Sequence, residues 1–239
     1  MTTPYQRMPA GIKYHLDKAI QPIKDIREEI TLRSKWQDLR PHLPSWTSLV
    51  DFKAYRNGCL LDVGCHYGLI SIHYIQQTKQ PAYGFDVNPQ INRLLRKNLL
   101  HSPYSRAFII QGFGLADYNG KAQSYNDTKY SGATTVNPEQ VQVAKELIGI
   151  QLRKRNIVEV RRLDDVPIPH PIALIKIDCE GNEAHVIRGA AKTIQKQHPT
   201  IIFEALTIEK QHECERLLEG MGYRTRPLDQ RNFIAEWKE

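Results

Sequence analysis

The 239-residue chain is poor in cysteine and lacks the paired cysteines of a zinc site. Its four cysteines are scattered, at Cys59, Cys65, Cys179 and Cys214, and none forms a C-x-x-C pair. Structural zinc sites need clustered thiolate or imidazole ligands, so this pattern argues against one. Scattered cysteines are typical of reduced thiols, and we therefore expect a protein of a reducing compartment.

Long apolar runs and a secretory leader are also missing. No run approaches the ~20 apolar residues that a membrane-spanning helix needs, and Met1–Gln6 lack the apolar segment of a signal peptide. We therefore expect a soluble, cytoplasmic protein with no membrane partner. The formal net charge of +7 favours anionic partners, nucleic acid among them. Apart from Arg153-Lys154-Arg155 and Arg161-Arg162 the basic residues are dispersed, so a solvated surface is the preferred interpretation.

Two parts can be distinguished along the chain, a helical prefix over residues 1–50 and a domain over residues 51–239. Apolar residues recur every three or four positions from Ile12 to Ile30, which predicts an amphipathic helix, and Pro22 should kink or restart it. From Cys59 onward, short apolar runs alternate with helical patterns. This alternation predicts an α/β, Rossmann-like fold with a mostly parallel seven-stranded sheet and an antiparallel C-terminal strand.

The predicted strands of this sheet follow the apolar runs. They are Cys59–Val63, Ala82–Phe85, Ala107–Ile110, Ile172–Ile177, Thr200–Phe203, Tyr223–Pro227 and Asn232–Trp237. The predicted helices cover residues 69–76, 89–100, 183–196 and 208–220.

An insertion interrupts the alternation between the third and fourth strands. Asn119-Gly120 favours a type I′ turn, because both residues tolerate positive φ, and predicts a hairpin from Leu115 to Tyr125. Asn137-Pro138-Glu139-Gln140 predicts a helix start. We expect that helix to run to about Arg153, and a strand to follow at Ile157–Arg161.

The segment from Asp62 to Gly68 predicts a ligand site at the end of the first strand. Gly64 and Gly68 allow a sharp turn and a close approach of the backbone to a ligand, and His66 lies between them. The pattern is D-x-G-x-x-x-G, whereas dinucleotide-binding proteins carry G-x-G-x-x-G. Because an acidic side chain suits an amino group or a sulfonium better than a pyrophosphate, the pattern favours S-adenosylmethionine over a nicotinamide cofactor.

Two later positions extend this prediction. Asp86 ends the second strand, where a carboxylate can accept hydrogen bonds from both ribose hydroxyls; it could also cap the helix after Pro89. The turn after the third strand contains Gln111 and Gly114 and would flank the adenine.

The stretch Leu174-Ile175-Lys176-Ile177-Asp178-Cys179-Glu180-Gly181-Asn182-Glu183 resembles the I-K-I-D-x-E-G-x-E signature of FkbM-type methyltransferases. The resemblance continues in Val186–Ala190, His198–Glu204 and the loop Ser131–Thr135, and Asp62–Gly68 is similar to the family's D-x-G-A-N-x-G turn. It implies a class I methyltransferase fold, S-adenosylmethionine as cofactor, and O-methylation of a hydroxyl on a sugar or small metabolite. The family often has Glu-Pro where this chain has Asp86-Val87, Asn in place of His66, and Ala in place of Asn182.

The candidate catalytic residues are Asp178, Lys176, Glu204 and Glu180. In open α/β sheets ligands bind outside the carboxyl ends of the strands, and the three acidic residues end or follow such strands. Lys176 lies within an apolar strand, where an unpaired ammonium would be costly, so we expect it to pair with Glu204 or Asp178. A purely structural ion pair is the alternative. No metal ligand set is predicted.

Three other functions remain open from the sequence. An RNA 2′-O-methyltransferase would suit the positive charge, but Glu204 stands where many such enzymes have a second lysine. A nicotinamide-dependent oxidoreductase is disfavoured by the missing third glycine. A catalytically silent module that binds the cofactor is the third.

Overall fold

The computed structural model describes Trp36, residues 38–127 and residues 134–238. The predicted amphipathic helix between Ile12 and Ile30, and the start of the small polar loop at Ser131–Ala133, lie outside the described residues.

A seven-stranded sheet forms the centre of the molecule. Its strands are β1 (Cys59–Val63), β2 (Ala82–Phe85), β3 (Phe108–Ile110), β8 (Ile172–Ile177), β9 (Thr200–Glu204), β10 (Tyr223–Pro227) and β11 (Asn232–Trp237). Across the sheet they lie in the order β10-β11-β9-β8-β1-β2-β3. Every pair is parallel except those that β11 makes with β9 and β10. The mostly parallel sheet with an antiparallel C-terminal strand is therefore confirmed.

Six α-helices lie wholly within the described residues and accompany the strands. They are α1 (Leu69–Thr78), α2 (Pro89–Leu99), α3 (Glu139–Ile148), α4 (Glu183–Gly189), α5 (Ala191–Gln197) and α6 (Ile208–Glu219). The Asn88 side chain caps α2 by accepting from the backbone N–H groups of Gln90 and Ile91, which is the usual role of asparagine at this position. In the part of the chain that the structure describes, no helix has the length and apolar character needed to cross a membrane.

Both faces of the sheet are covered, as expected for parallel strands rich in Val, Ile and Leu. One face packs against α4, α5 and α6 around Ile175, Phe203 and Tyr223. The other packs against α1 and α2, with Trp36, Trp46 and further residues that precede β1. Every residue of β1 is buried.

The insertion differs most from the prediction. It forms a second sheet in the order β4-β7-β5-β6, with β4 (Gly114–Leu115), β5 (Gly120–Asn126), β6 (Thr134–Thr135) and β7 (Arg153–Arg161). The predicted Leu115–Tyr125 hairpin is wrong, because β7 lies between β4 and β5 and pairs with both at Val160. Neither Asn119 nor Gly120 has a positive φ. The Asn119 side chain instead bonds Asp165 and the backbone N–H of Arg162.

Two helix predictions also need correction. The helix expected to reach Arg153 ends at Ile148, because Gly149 adopts a left-handed conformation there, and Arg153 already belongs to β7. The helix expected over residues 183–196 is two helices that meet at Ala190.

Candidate functional site

A cleft lies at the carboxyl ends of β1, β2, β8 and β9, where the strand order of the sheet reverses between β1 and β8. This is the position at which open α/β sheets bind ligands. The insertion covers one side of it through β4 and β6. The cleft is lined by Val63, Gly64, His66, Phe85, Asp86, Val87, Gly114, Leu115, Thr134, Val136, Asp178, Cys179, Glu180, Asn182 and Glu204.

The turn after β1 brings the ends of β1 and β8 into close contact. A Cβ atom on Gly64 would lie 1.7 Å from the backbone oxygen of Asp178, and Gly64 has φ +75°. Only glycine satisfies both conditions. Gly68, at the start of α1, packs against the Phe108 ring and does not line the cleft.

Asp86 connects this turn to the end of β2. Its carboxylate accepts hydrogen bonds from the backbone N–H of His66 at 2.9 Å and of Asn88 at 2.8 Å. Burial raises the pKa of Asp86 to about 6. A carboxylate has about four lone-pair sites, so Asp86 retains acceptor capacity on the cleft side. The same residue thus fixes the turn and borders the cleft.

Asp62 is placed differently from the sequence expectation, because it is buried and does not line the cleft. The Ser71 hydroxyl donates to one carboxylate oxygen of Asp62 at 2.6 Å. The other oxygen lies 3.6 Å from the Lys176 ammonium. Asp62 therefore acts on the site indirectly, because it stabilises the charge of Lys176, which in turn contacts Asp178.

Lys176 pairs with Asp178, one of the two partners expected from sequence. Its Nζ atom lies 3.1 Å from Asp178 Oδ2 and also donates to the Gly64 carbonyl at 3.2 Å. Burial disfavours the charged ammonium, but Asp178 and Asp62 outweigh this effect and raise the pKa of Lys176. Burial likewise opposes ionisation of Asp178, but Lys176 outweighs it and lowers the pKa of that carboxyl. Both groups are therefore charged at neutral pH.

Glu204 forms a carboxyl pair with Asp178 instead of an ion pair with Lys176. Burial, the charge of Asp178 and their mutual hydrogen bond raise the pKa of Glu204 to about 9. Two neighbouring carboxyl groups that share a hydrogen bond are not readily ionised together. Glu204 therefore stays protonated at neutral pH and donates a hydrogen bond to the Asp178 carboxylate. Burial and the neighbouring Asp178 and Glu183 raise the pKa of Glu180 to about 7.

The turn after β8 presents Glu180 to the cleft in a strained backbone conformation. Glu180 has φ +56° and Gly181 has φ +86°; a non-glycine residue in this region is costly and is held there by its surroundings. The buried Glu183 side chain accepts from the backbone N–H groups of Cys179 at 3.0 Å and Gly181 at 3.1 Å. Glu183 thus shapes the turn and does not line the cleft.

Sequence reasoning missed the contribution of the insertion to this turn. The Asn137 amide donates to the Gly181 carbonyl at 2.9 Å, and the Asn182 amide donates to the Leu115 carbonyl at 3.2 Å. The sequence places Asn137 only at a helix start, and its side chain does accept from the Glu139 N–H there. No local sequence signal indicates its second partner, which lies 44 residues away.

Of the two residues expected beside the adenine, one lines the cleft and the other does not. Gly114 lines the cleft, and a Cβ atom there would lie 2.3 Å from a methyl group of Val87. Gln111 lies outside it, in a neighbouring surface groove beside α2. Among the residues described, no three His, Cys, Asp or Glu side chains are grouped as metal ligands.

Comparison with known proteins adds a family match. The sequence model of the methyltransferase FkbM domain matches residues 62–225. No curated protein matches the chain.

Two solved structures of methyltransferases are similar to this chain. The FkbM methyltransferase of Methylobacillus flagellatus KT is 15% identical, with a TM-score of 0.50, and the match covers 76% of this chain and 44% of that protein. The precorrin-6y C5,15-methyltransferase of Geobacter metallireducens GS-15 is 14% identical, with a TM-score of 0.46 and coverages of 80% and 87%. At 15% identity the likeness to the Methylobacillus protein shows a shared fold alone. The chain spans less than half the length of the Methylobacillus protein.

Proposed function

The chain belongs to the FkbM methyltransferase family, and we propose that it transfers a methyl group from S-adenosylmethionine to a hydroxyl oxygen of a sugar or small metabolite. The observation that carries this proposal is the position of the Asp178 carboxyl group on the cleft wall, with Oδ2 at 3.1 Å from Lys176 Nζ. The lysine favours the charged form of this carboxyl group and lowers its pKa.

The residues of the cleft fit the proposed cofactor. Asp86 retains acceptor capacity for the two ribose hydroxyls, and the Gly64 turn leaves the backbone exposed to the cleft without a side chain. The acidic wall of Asp178 and Glu180 suits a ligand that carries an ammonium and a sulfonium. When bound, S-adenosylmethionine would supply a methyl group already activated by positively charged sulfur.

The side chains of the chain would then align the acceptor and receive its proton. We expect the acceptor hydroxyl to hydrogen-bond to the Asp178 carboxylate, which acts as general base as the oxygen–methyl bond forms. The protonated Glu204 and the Lys176 ammonium hold that carboxylate in one orientation. Closing the cleft against water and positioning the reacting oxygen supply much of the acceleration in such displacements.

Transfer of a labelled methyl group to a panel of sugars and hydroxylated metabolites tests this proposal. In Asp178→Asn we expect transfer at saturating S-adenosylmethionine to fall by about 10²–10⁴-fold, the range of general base catalysis, which exceeds the loss of S-adenosylmethionine affinity measured for the same variant. Asp117→Asn is the matched control, because Asp117 pairs with His185 outside the cleft at 2.9 Å. Unchanged transfer in Asp178→Asn would remove Asp178 from the chemistry.

A further inference from the structure

The second sheet carries a row of polar side chains that leads away from the cleft. Arg153 in β7 pairs with Asn126 in β5, and Asn126 pairs with Thr134 in β6. Directly paired residues of neighbouring strands present their side chains on the same face. Thr134 itself lines the cleft. The face that carries Thr134 therefore continues, over two strand spacings of about 4.8 Å each, to Arg153.

Arg155 joins the same face through a side-chain contact. Its Nε atom donates to the Asn126 amide oxygen at 2.8 Å. The register of β5 and β7 shifts at a bulge between Gln123 and Tyr125. Bulges are frequent beside active sites, where they redirect a side chain. The bond to Asn126 leaves the two terminal nitrogens of the guanidinium as donors.

Arg153 and Arg155 are both exposed. Within residues 38–127 and 134–238, neither forms an ion pair. The other arginine pair of the insertion is neutralised, because Arg161 contacts Glu159 at 2.6 Å and Arg162 contacts Asp164 at 3.2 Å.

In β5 and β6 the opposite face of the row packs against the protein, whereas Lys154 in β7 is exposed. Tyr125, Thr135 and Lys154 are paired in the adjacent register, and Tyr125 packs with Ala144 of α3 and with Leu152. The Arg153 and Thr134 face is therefore the one that opens toward the cleft and solvent.

We propose that Arg153 and Arg155 form a subsite for an anionic group, such as a phosphate, on the methyl acceptor. The inference rests on the proposed function, because it assigns a substrate class to the same cleft. The acceptor is then a small phosphorylated molecule whose methylated hydroxyl reaches Asp178 while its phosphate lies beside β7, two strand spacings, or about 10 Å, from Thr134 on the cleft wall. Arginine suits this role because its planar fork matches phosphate oxygens.

A nucleic acid fits the observations less well. A continuous polyanion would need a track of free cations, whereas Arg161 and Arg162 are paired and the cleft wall carries Asp178 and Glu180. A single phosphate at the end of a neutral sugar avoids these carboxylates.

Calorimetric titration with glucose 6-phosphate and with glucose, both in the presence of S-adenosylhomocysteine, tests the subsite. We expect glucose 6-phosphate to bind at least about tenfold more tightly than glucose, and the double variant Arg153→Gln/Arg155→Gln to lose this difference. Arg224→Gln/Arg226→Gln is the matched control, since it removes the same charge at the same spacing from the exposed edge strand β10. We expect it to bind glucose 6-phosphate like the unaltered protein.

Equal binding of the two sugars, or unchanged preference in the β7 double variant, would overturn the subsite. An oligouridylate that binds more tightly than glucose 6-phosphate and weakens by about 10³-fold or more between about 50 and 200 mM salt would indicate nucleic acid instead. Binding of S-adenosylhomocysteine to each protein is measured first, in a separate titration without sugar. If the unaltered protein does not bind it, the proposed function fails; if both proteins bind it, a negative sugar result concerns the arginine subsite alone.

Discussion

Replacing Glu204 by glutamine should stabilise the protein relative to the unaltered protein, and this difference should grow as the pH rises, even though the residue borders the candidate site. The folded protein holds Glu204 protonated because burial and Asp178 raise its pKa from 4.5 to about 9. The unfolded chain loses this proton above pH 4.5. Folding therefore requires proton uptake between these two values, and stability falls as the pH rises through that window.

The magnitude follows from the shift. Each pH unit inside the window corresponds to at most about 1.4 kcal/mol, or about 4 kcal/mol between pH 5 and pH 8. Glu204 is partly exposed, and solvent screening reduces this to about 2 kcal/mol. A glutamine at this position does not titrate but still donates an N–H to the Asp178 carboxylate. The free energy of unfolding of Glu204→Gln should therefore rise relative to the unaltered protein by about 2 kcal/mol across this range.

Urea unfolding at pH 5, 6, 7 and 8 measures this difference, because the contributions of all other titrating groups cancel between the two proteins. Glu219→Gln, at the exposed end of α6, is the control and should show no pH-dependent gain. Parallel stability profiles for Glu204→Gln and the unaltered protein would refute the reasoning, since they would mean that Glu204 is ionised in the folded state.

Three further predictions concern the turns around the cleft. Gly64→Ala should lower the free energy of unfolding by about 3 kcal/mol or more, measured by thermal unfolding, because the new Cβ atom would lie 1.7 Å from a backbone oxygen. Gly149 has a similar φ but open space around it, so Gly149→Ala should lower the free energy of unfolding by only about 1 kcal/mol. Asn137→Ala should cost about 1–3 kcal/mol by leaving the buried Gly181 carbonyl unpaired, and methyl-transfer assays should show a lower kcat. The affinity for S-adenosylmethionine, measured by calorimetry, should rise as the pH increases through about 7, where Glu180 becomes ionised. Glu180→Gln should abolish that rise. If the rise persists in the variant, Glu180 is not the group responsible for it.

The central sheet could be predicted from sequence because its signals are local. Buried parallel strands such as β1 and β8 are short, mostly apolar runs, each with a single charged residue, Asp62 or Lys176. The cost of burying an unpaired ammonium in such a strand predicted an acidic partner for Lys176, but the sequence left Asp178 and Glu204 as alternatives. The acidic residues at the strand ends were placed at one edge by the parallel topology alone.

The parts that were wrong depend on contacts between distant residues. Nothing near Asn119 indicates that β7, some 40 residues later, lies between β4 and β5. The direction of Asp62 was equally hidden, because every residue of β1 is buried and no alternation distinguishes its two faces. The bond from Asn137 to Gly181 joins two segments that are each locally unremarkable.

Calorimetric binding of S-adenosylmethionine, with NAD as the comparison ligand, tests the central claim most directly. We predict that S-adenosylmethionine binds and NAD does not, and that Asp86→Ala weakens binding by about tenfold or more, the effect of losing hydrogen bonds to a charged group. Absence of S-adenosylmethionine binding, or a preference for NAD, would contradict the account and withdraw the roles proposed for Asp178 and Asp86.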